Sequence, residues 1–171
     1  LVLRGKWRQA LKSDELRFFC GVVLLSGLFI TLNISRFYPS VSDSLRHAFF
    51  QVASIISTTG FSSVDFNLWP EFSRTLLVIL MFCGACAGST GGGIKCSRIL
   101  ILFKALFREI KQIIHPRSVN VVKLDGQVLE ESTIKSILVF FSTYMLIAFG
   151  AALLVALDDF SFGTTFTAVI A

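Results

Sequence analysis

Gly84-Ala-Cys-Ala-Gly-Ser-Thr-Gly-Gly-Gly-Ile-Lys95 interrupts an otherwise apolar run, and its reading decides the fold. Positions 75–94 carry no charge, and apolar residues resume at 99–103 beyond Lys95 and Arg98. Such a stretch is long enough to cross the hydrocarbon core of a bilayer, which takes about 20 residues. Glycine costs about 1 kcal/mol relative to alanine inside a helix, so a cluster of them argues that the helix stops and restarts. Non-helical backbone at membrane depth persists only where protein buries it or where it lines a water-filled cavity. The segment therefore reads as a broken span beside a permeation path.

The rest of the chain has the composition this requires. It is 54% hydrophobic and only 16% charged, with a mean hydropathy of +0.74, against about 45–50% and 25% for soluble domains. Positions 18–35 and 136–157 are free of charge, and each is near the length of one span. No small-residue cleavage site follows the first of them, which excludes a secretory signal peptide.

The net charge of +5 is informative by position. Arg4, Lys6, Arg8, Lys12 and Arg17 precede the first span; Lys104, Arg108, Lys111, Arg117, Lys123 and Lys135 separate the broken segment from the last one. Basic clusters beside spans mark the cytoplasmic side, and this reading takes precedence over nucleic-acid binding. Arg36, Arg46 and Arg74 are offset by Asp43, Asp65 and Glu71, so their loops face outward, as does Asp158-Asp159. Trp7, Tyr38 and Trp69 read as interfacial anchors.

Four parts follow. Residues 1–14 form a cytoplasmic lead-in; 15–113 form a span, a short helix, a loop and the broken span; 114–130 form a cytoplasmic linker with a turn at Asp125-Gly126; 131–171 begin a second copy. The short helix over 42–57 is predicted to be capped by Ser42. Its Leu45, Ala48, Phe49, Val52 and Ile56 lie at helical spacing, with His47, Gln51 and Ser54 on other faces. It is too short and too polar to span, so it reads as re-entrant. Phe50-Gln-Val-Ala-Ser-Ile55 and Phe166-Thr-Ala-Val-Ile-Ala171 occupy equivalent places, and repeats around an axis commonly build transport paths. The chain starts at Leu1 and stops in mid-pattern, as expected of a piece of a longer protein.

The candidate chemistry lies just after the short helix, at Thr58-Thr59-Gly60-Phe61. The C-terminus of a helix offers its negative dipole end to a cation. A glycine in the following loop permits backbone angles that aim several carbonyls one way, and rings of carbonyls replace the hydration shell of a monovalent cation. A plain Thr-Thr-Gly turn is the alternative; the position between a short helix and a broken span favours a filter.

Ser57-Thr-Thr-Gly-Phe61 and Ala87-Gly-Ser-Thr-Gly-Gly-Gly-Ile-Lys95, in this order, resemble the filter loop and broken-helix loop of the Trk/Ktr/HKT superfamily of potassium transporters, closest to bacterial TrkH/KtrB-type membrane subunits. The resemblance covers nearly the whole chain. It implies an all-α membrane protein of span, pore helix, filter loop and span repeats, of which this chain holds the third and the start of the fourth. Carbonyls of Thr58, Thr59, Gly60 and Phe61 would then form a quarter of the filter, with potassium at Thr58, Thr59 and Gly60. Gly88, Ser89, Thr90, Gly91, Gly92, Gly93 and Lys95 would belong to an intramembrane gate loop. The resemblance also implies a homodimer in the bacterial inner membrane and cytosolic nucleotide-binding regulatory subunits, with the basic residues of 104–123 as a docking surface. No covalent cofactor is implied.

Other readings compete. Gly88 and Gly93 have P-loop separation, but Ile94 intervenes before Lys95 and Cys96 follows, so a phosphate cradle is rejected. Cys83-Gly-Ala-Cys86 has ligand-like spacing with Cys96 nearby, but cysteines in apolar segments serve as small packing residues, as Cys20 also does. Lys95 is open to two readings, a positive charge beside the cavity or a side chain snorkelling to the interface. His47 reads as a polar residue at the outer mouth or packed on a neighbouring span, and Asp43, Asp65 and Glu71 as solvated loop charges or as cation attractors. No catalytic constellation is visible. Sodium is the rival ion, and a non-conducting sensor or structural subunit the rival class.

Overall fold

The computed structural model describes residues 13–115 and 120–170. Most of the predicted lead-in, with Arg4, Lys6, Trp7, Arg8 and Lys12, lies outside the described residues, as does Arg117. The described residues form two compact units, one from Phe18–Lys95 and the other chiefly from 13–17 with Cys96–Val169.

In the first unit, α1 (Asp14–Ile34) is the first span; it starts in the second unit's residues and opens with Asp14 and Glu15 in its first turn, where carboxylates suit the helix dipole. Its 21 residues rise about 31 Å, enough to cross a bilayer core. Ser26, Gly27, Ile30, Thr31 and Ile34 form its buried stripe, with 3.6-residue periodicity. The two hydroxyls on that stripe bond back to carbonyls of their own helix, Ser26 to Val22 at 2.6 Å and Thr31 to Gly27 at 2.7 Å, which satisfies them in an apolar setting.

The short helix is α2 (Val41–Ile56). Its cap is Ser40, whose hydroxyl accepts from the Ser42 amide; the expected cap, Ser42, is already helical. The buried face also differs from expectation. Gln51 and Ser54 are buried beside Ala48, Val52, Ile55 and Ile56, whereas Leu45 is 45% exposed. The reason is hydrogen bonding: both polar residues hold the loop that follows, so burial completes their bonding instead of stranding it.

A short 3₁₀ turn at Phe66–Leu68 leads to α3 (Glu71–Phe82). Ile30, Ile34, Ala48, Val52, Trp69, Leu77 and Leu80 form one core across α1, α2 and α3. Two polar links brace it. Ser73 donates to Asn33 at 2.7 Å, and Trp69 donates through Nε1 to the Tyr38 hydroxyl at 3.1 Å. The Tyr38 ring stacks on His47 with centroids 5.0 Å apart.

The helix breaks where the glycines predict. Instead of continuing, the chain forms β1 (Cys83–Gly84), which pairs in parallel with β2 (Ile94–Lys95), Cys83 opposite Ile94 and Gly84 opposite Lys95. Residues 85–93 are thus a loop closed at its neck. Only glycine fits that neck: a Cβ on Gly84 would run into the carbonyl oxygen of Gly92, and Gly93 has φ +70° with the Gly84 amide 3.2 Å from where its Cβ would stand.

The second unit continues with α4 (Cys96–Ile114), a hairpin of β3 (Lys123–Leu124) and β4 (Gln127–Val128), the second span α5 (Glu131–Val155), and α6 (Phe162–Ile170). The hairpin turns at Asp125 (φ 50°) and Gly126 (φ 81°), the paired left-handed residues of a type I′ turn. Ile101, Ala105, Val122, Ile134 and Ile137 form its core. Arg98 lies 4.1 Å over the Phe140 ring, an apolar partner for a cation near the start of α4.

Candidate ion pathway

The loop after α2 is shaped by the way that helix ends. The Thr59 amide donates to Ser54 O and the Thr58 amide to Ile55 O, both at 3.0 Å, the paired bonds of a Schellman motif. That motif needs a left-handed residue just past the cap, usually glycine. Here it is Thr58, at φ 55°. A β-branched residue in this region is an outlier that costs on the order of 1–3 kcal/mol and persists only when its surroundings hold it. Gly60, at φ 72°, is left-handed as well, so left-handed residues alternate with Thr59 and Phe61.

The α2 side chains then fasten the loop from behind. The Ser54 hydroxyl donates to the Phe61 carbonyl at 2.5 Å, and the Thr59 hydroxyl bonds to Ser54 O at 3.2 Å and to the Ser57 hydroxyl at 2.6 Å. Ser62 donates to Gln51 at 3.4 Å, and His47 Nδ1 meets the Ser63 hydroxyl at 3.1 Å. Thr58, Thr59, Gly60 and Phe61 are themselves all exposed, on a face the chain leaves uncovered. A cavity of about 110 Å³ borders Ser54, Ile55, Thr58, Gly60 and Met81. Ser54 and Gln51 were absent from the sequence-level site; the available signal was their polarity among the apolar residues of the last turns of α2.

The glycine-rich loop meets this one directly. The Gly92 amide donates to Thr58 Oγ1 at 3.1 Å. Lys95 turns back on the loop, donating to Ser89 O at 2.9 Å, to the Ser89 hydroxyl at 3.4 Å and to Gly91 O. An ammonium has three donors, and three oxygens receive them. Of the remaining loop residues, Gly88, Thr90, Gly92 and Gly93 are exposed and Ser89 and Gly91 half-buried. Cys83 and Cys96 are buried at the neck. Among the described residues, no three His, Cys, Asp or Glu side chains gather as a metal site.

A short helix holding a strained, carbonyl-rich loop over a broken span is the arrangement the two motifs implied, and comparison with known proteins decides its lineage. Residues 32–171 match the family model of TrkH, described as a cation transport protein. The chain belongs to the TrkH family. It is 39% identical, over 99% of its length, to the Trk system potassium uptake protein TrkH of Salmonella typhimurium, and 32% identical, over 100%, to TrkG of Escherichia coli. The crystal structure of the potassium transporter TrkH from Vibrio parahaemolyticus superposes with a TM-score of 0.87 at 36% identity, over 94% of this chain. The chain spans about a third of these relatives, covering 35% and 36% of the two sequences and 35% of the solved chain. The fold is therefore the all-α membrane fold of this family, with pore helix, loop and broken span.

Within this TrkH-family chain, several charges have partners close by. Lys104 binds Asp14 at 2.6 Å and the Lys123 carbonyl at 2.8 Å, and Arg108 binds Glu131 and, at 2.9 Å, Glu109. The Asp125 carboxylate accepts from the Asp14 amide at 2.6 Å, capping α1 from the hairpin. These basic residues knit the second unit together, and Lys111 of the same helix is exposed. Three further carboxylates are used locally: Asp43 pairs with Arg46 at 3.3 Å, Glu71 with Arg74 at 2.6 Å, and Asp65 caps the Phe66–Leu68 turn.

Proposed function

We propose that this chain supplies part of a transmembrane path for potassium. Main-chain oxygens of Thr58, Thr59, Gly60 and Phe61 take the place of water around the ion, and the loop at Gly88, Ser89, Thr90, Gly91, Gly92, Gly93 and Lys95 gates it. The observation that carries this is the alternation of backbone hand at Thr58 and Gly60. In an extended chain successive carbonyls point to opposite sides. Left-handed residues at alternate positions turn the peptide planes back, which is how a short loop can present a column of carbonyls to a cation. The C-terminal dipole of α2 adds negative potential at the same place.

The proposal extends to the whole protein. Residues 15–113 form one complete span, pore-loop and span repeat, 114–130 a cytoplasmic linker, and 131–171 the first span and pore helix of the next. Repeats outside this chain complete the filter. The relatives' names place them in a Trk potassium uptake system, which supports a membrane transporter with partner subunits; the proposal is a multi-pass homodimer of the bacterial inner membrane served by cytosolic nucleotide-binding subunits.

Rubidium uptake into vesicles carrying the full-length protein tests the path. Uptake is expected, with Gly60→Ser lowering the preference for rubidium over sodium. Uptake indifferent to that substitution removes the filter from Thr58–Phe61, and its absence makes the subunit a non-conducting one.

A further inference from the structure

A hydrogen bond joins the two loops at Thr58 Oγ1. Thr58 Oγ1 receives the Gly92 N–H at 3.1 Å across 34 residues of sequence. The loops are packed together there: a Cβ on Gly91 would stand in ordinary contact, 3.4 Å, with both Ser57 O and Thr58 Oγ1. Lys95 grips the carbonyls of Ser89 and Gly91 on either side of Thr90, and so holds the strand of loop that carries the Gly92 amide. Thr58 is also the residue at which the strain of the first loop is concentrated, at φ 55° where glycine is usual. Glycine there would relieve the strain and lose the hydroxyl.

A hydroxyl oxygen can accept from an amide or contact a cation. It does both poorly at once, because the amide hydrogen carries partial positive charge and stands beside the place the cation would take. Two ligands that oppose each other at one atom are linked, and linkage is reciprocal: each weakens the other by the same factor. The Gly92 bond holds the glycine-rich loop against the pore-helix end of Thr58–Phe61. Whatever displaces the amide from Thr58 therefore loosens the loop.

We propose that Thr58 Oγ1 is a shared ligand, exchanging between the Gly92 amide and a permeant monovalent cation, so that cation occupancy at this end of the carbonyl loop unlatches the glycine-rich loop. This rests on the transport reading given above, and it adds a residue that links ion binding to gating. The gate is then not independent of its cargo. An ion arriving at Thr58 helps to open the way ahead of it.

Hydrogen exchange of the amides in residues 88–93 tests this on the full-length protein, in rubidium chloride against choline chloride at equal ionic strength. Rubidium is expected to speed exchange of this segment about fivefold or more, the lower end of typical coupling. Thr58→Val keeps the side-chain shape and removes the hydroxyl; its exchange should be fast in both salts. Thr58→Ser should retain the rubidium response. Gly92→Pro removes the donor from the opposite side and should abolish the response, which covers the case in which Thr58→Val fails to fold. Exchange in Thr58→Val that stays slow and rubidium-sensitive overturns the proposal. Flux that depends on Gly60 with exchange indifferent to rubidium also sinks the shared ligand while sparing the transport path. A rubidium response in a protein without flux does the reverse.

Discussion

The loop at 58–61 and the loop at 85–93 are both irregular backbone beside apolar helices, yet they are held in opposite ways. The first is fastened along its length by its own pore helix: two Schellman bonds, the Ser54 hydroxyl on the Phe61 carbonyl, and the Thr59 hydroxyl on Ser54 and Ser57. All of these partners lie within 7 residues in sequence. The second is fastened at its neck by two residue pairs, and beyond the neck by the Lys95 ammonium, the Gly92 bond to Thr58 and a turn bond from the Ser89 amide to Cys86 O. Many local bonds make a loop that keeps its shape when any one is lost. A loop tied to other segments through a lysine ammonium and a threonine hydroxyl is loosened when those bonds are released.

Substitutions can break or sharpen this contrast. The largest effect is expected at the neck: Gly84→Val places side-chain atoms on the Gly92 carbonyl and should cost about 3 kcal/mol or more, read as lost thermal stability and yield. Next, Ser54→Ala deprives the Phe61 carbonyl of its donor and should cost about 1–3 kcal/mol. Rubidium over sodium selectivity should fall with it, since the first loop then loses its backing. Lys95→Met should leave melting nearly unchanged but speed amide exchange in 86–93 about tenfold, equivalent to ~1.4 kcal/mol of lost local bonding. A large loss of global stability instead would mean that the second loop is as firmly built as the first. The smallest effect is the most discriminating. Thr58→Gly removes the left-handed strain, so the end of α2 should gain about 1 kcal/mol while the 88–93 segment exchanges faster. One substitution would thus tighten one loop and loosen the other.

Most of the architecture was legible in the residues. Charge-free runs marked α1 and α5, Asp125-Gly126 marked the hairpin, and the glycine cluster marked the break between α3 and α4. What misled was polarity taken residue by residue. Ser42 was a reasonable cap two positions from the true one, because Ser40 and Ser42 are chemically alike and only backbone angle separates them. Gln51 and Ser54 read as off-core because their partners, Ser62 and Phe61, come from a loop whose path no periodicity encodes. The partners of Lys104 and Arg108 were equally hidden, because the carboxylates that bind them lie 90 and 23 residues away.

By itself the amino-acid sequence determined where the chain crosses lipid and where a helix must stop, because transfer into a bilayer depends on the charge-free length of a segment and helix interruption on its local glycine content. Only the tertiary structure decided which polar atoms meet: Thr58 with Gly92, Lys95 with Ser89, Asp125 with Asp14. Each of those bonds needs two groups within about 3.5 Å. For partners brought together by the packing of other segments, no pattern along the chain records that distance.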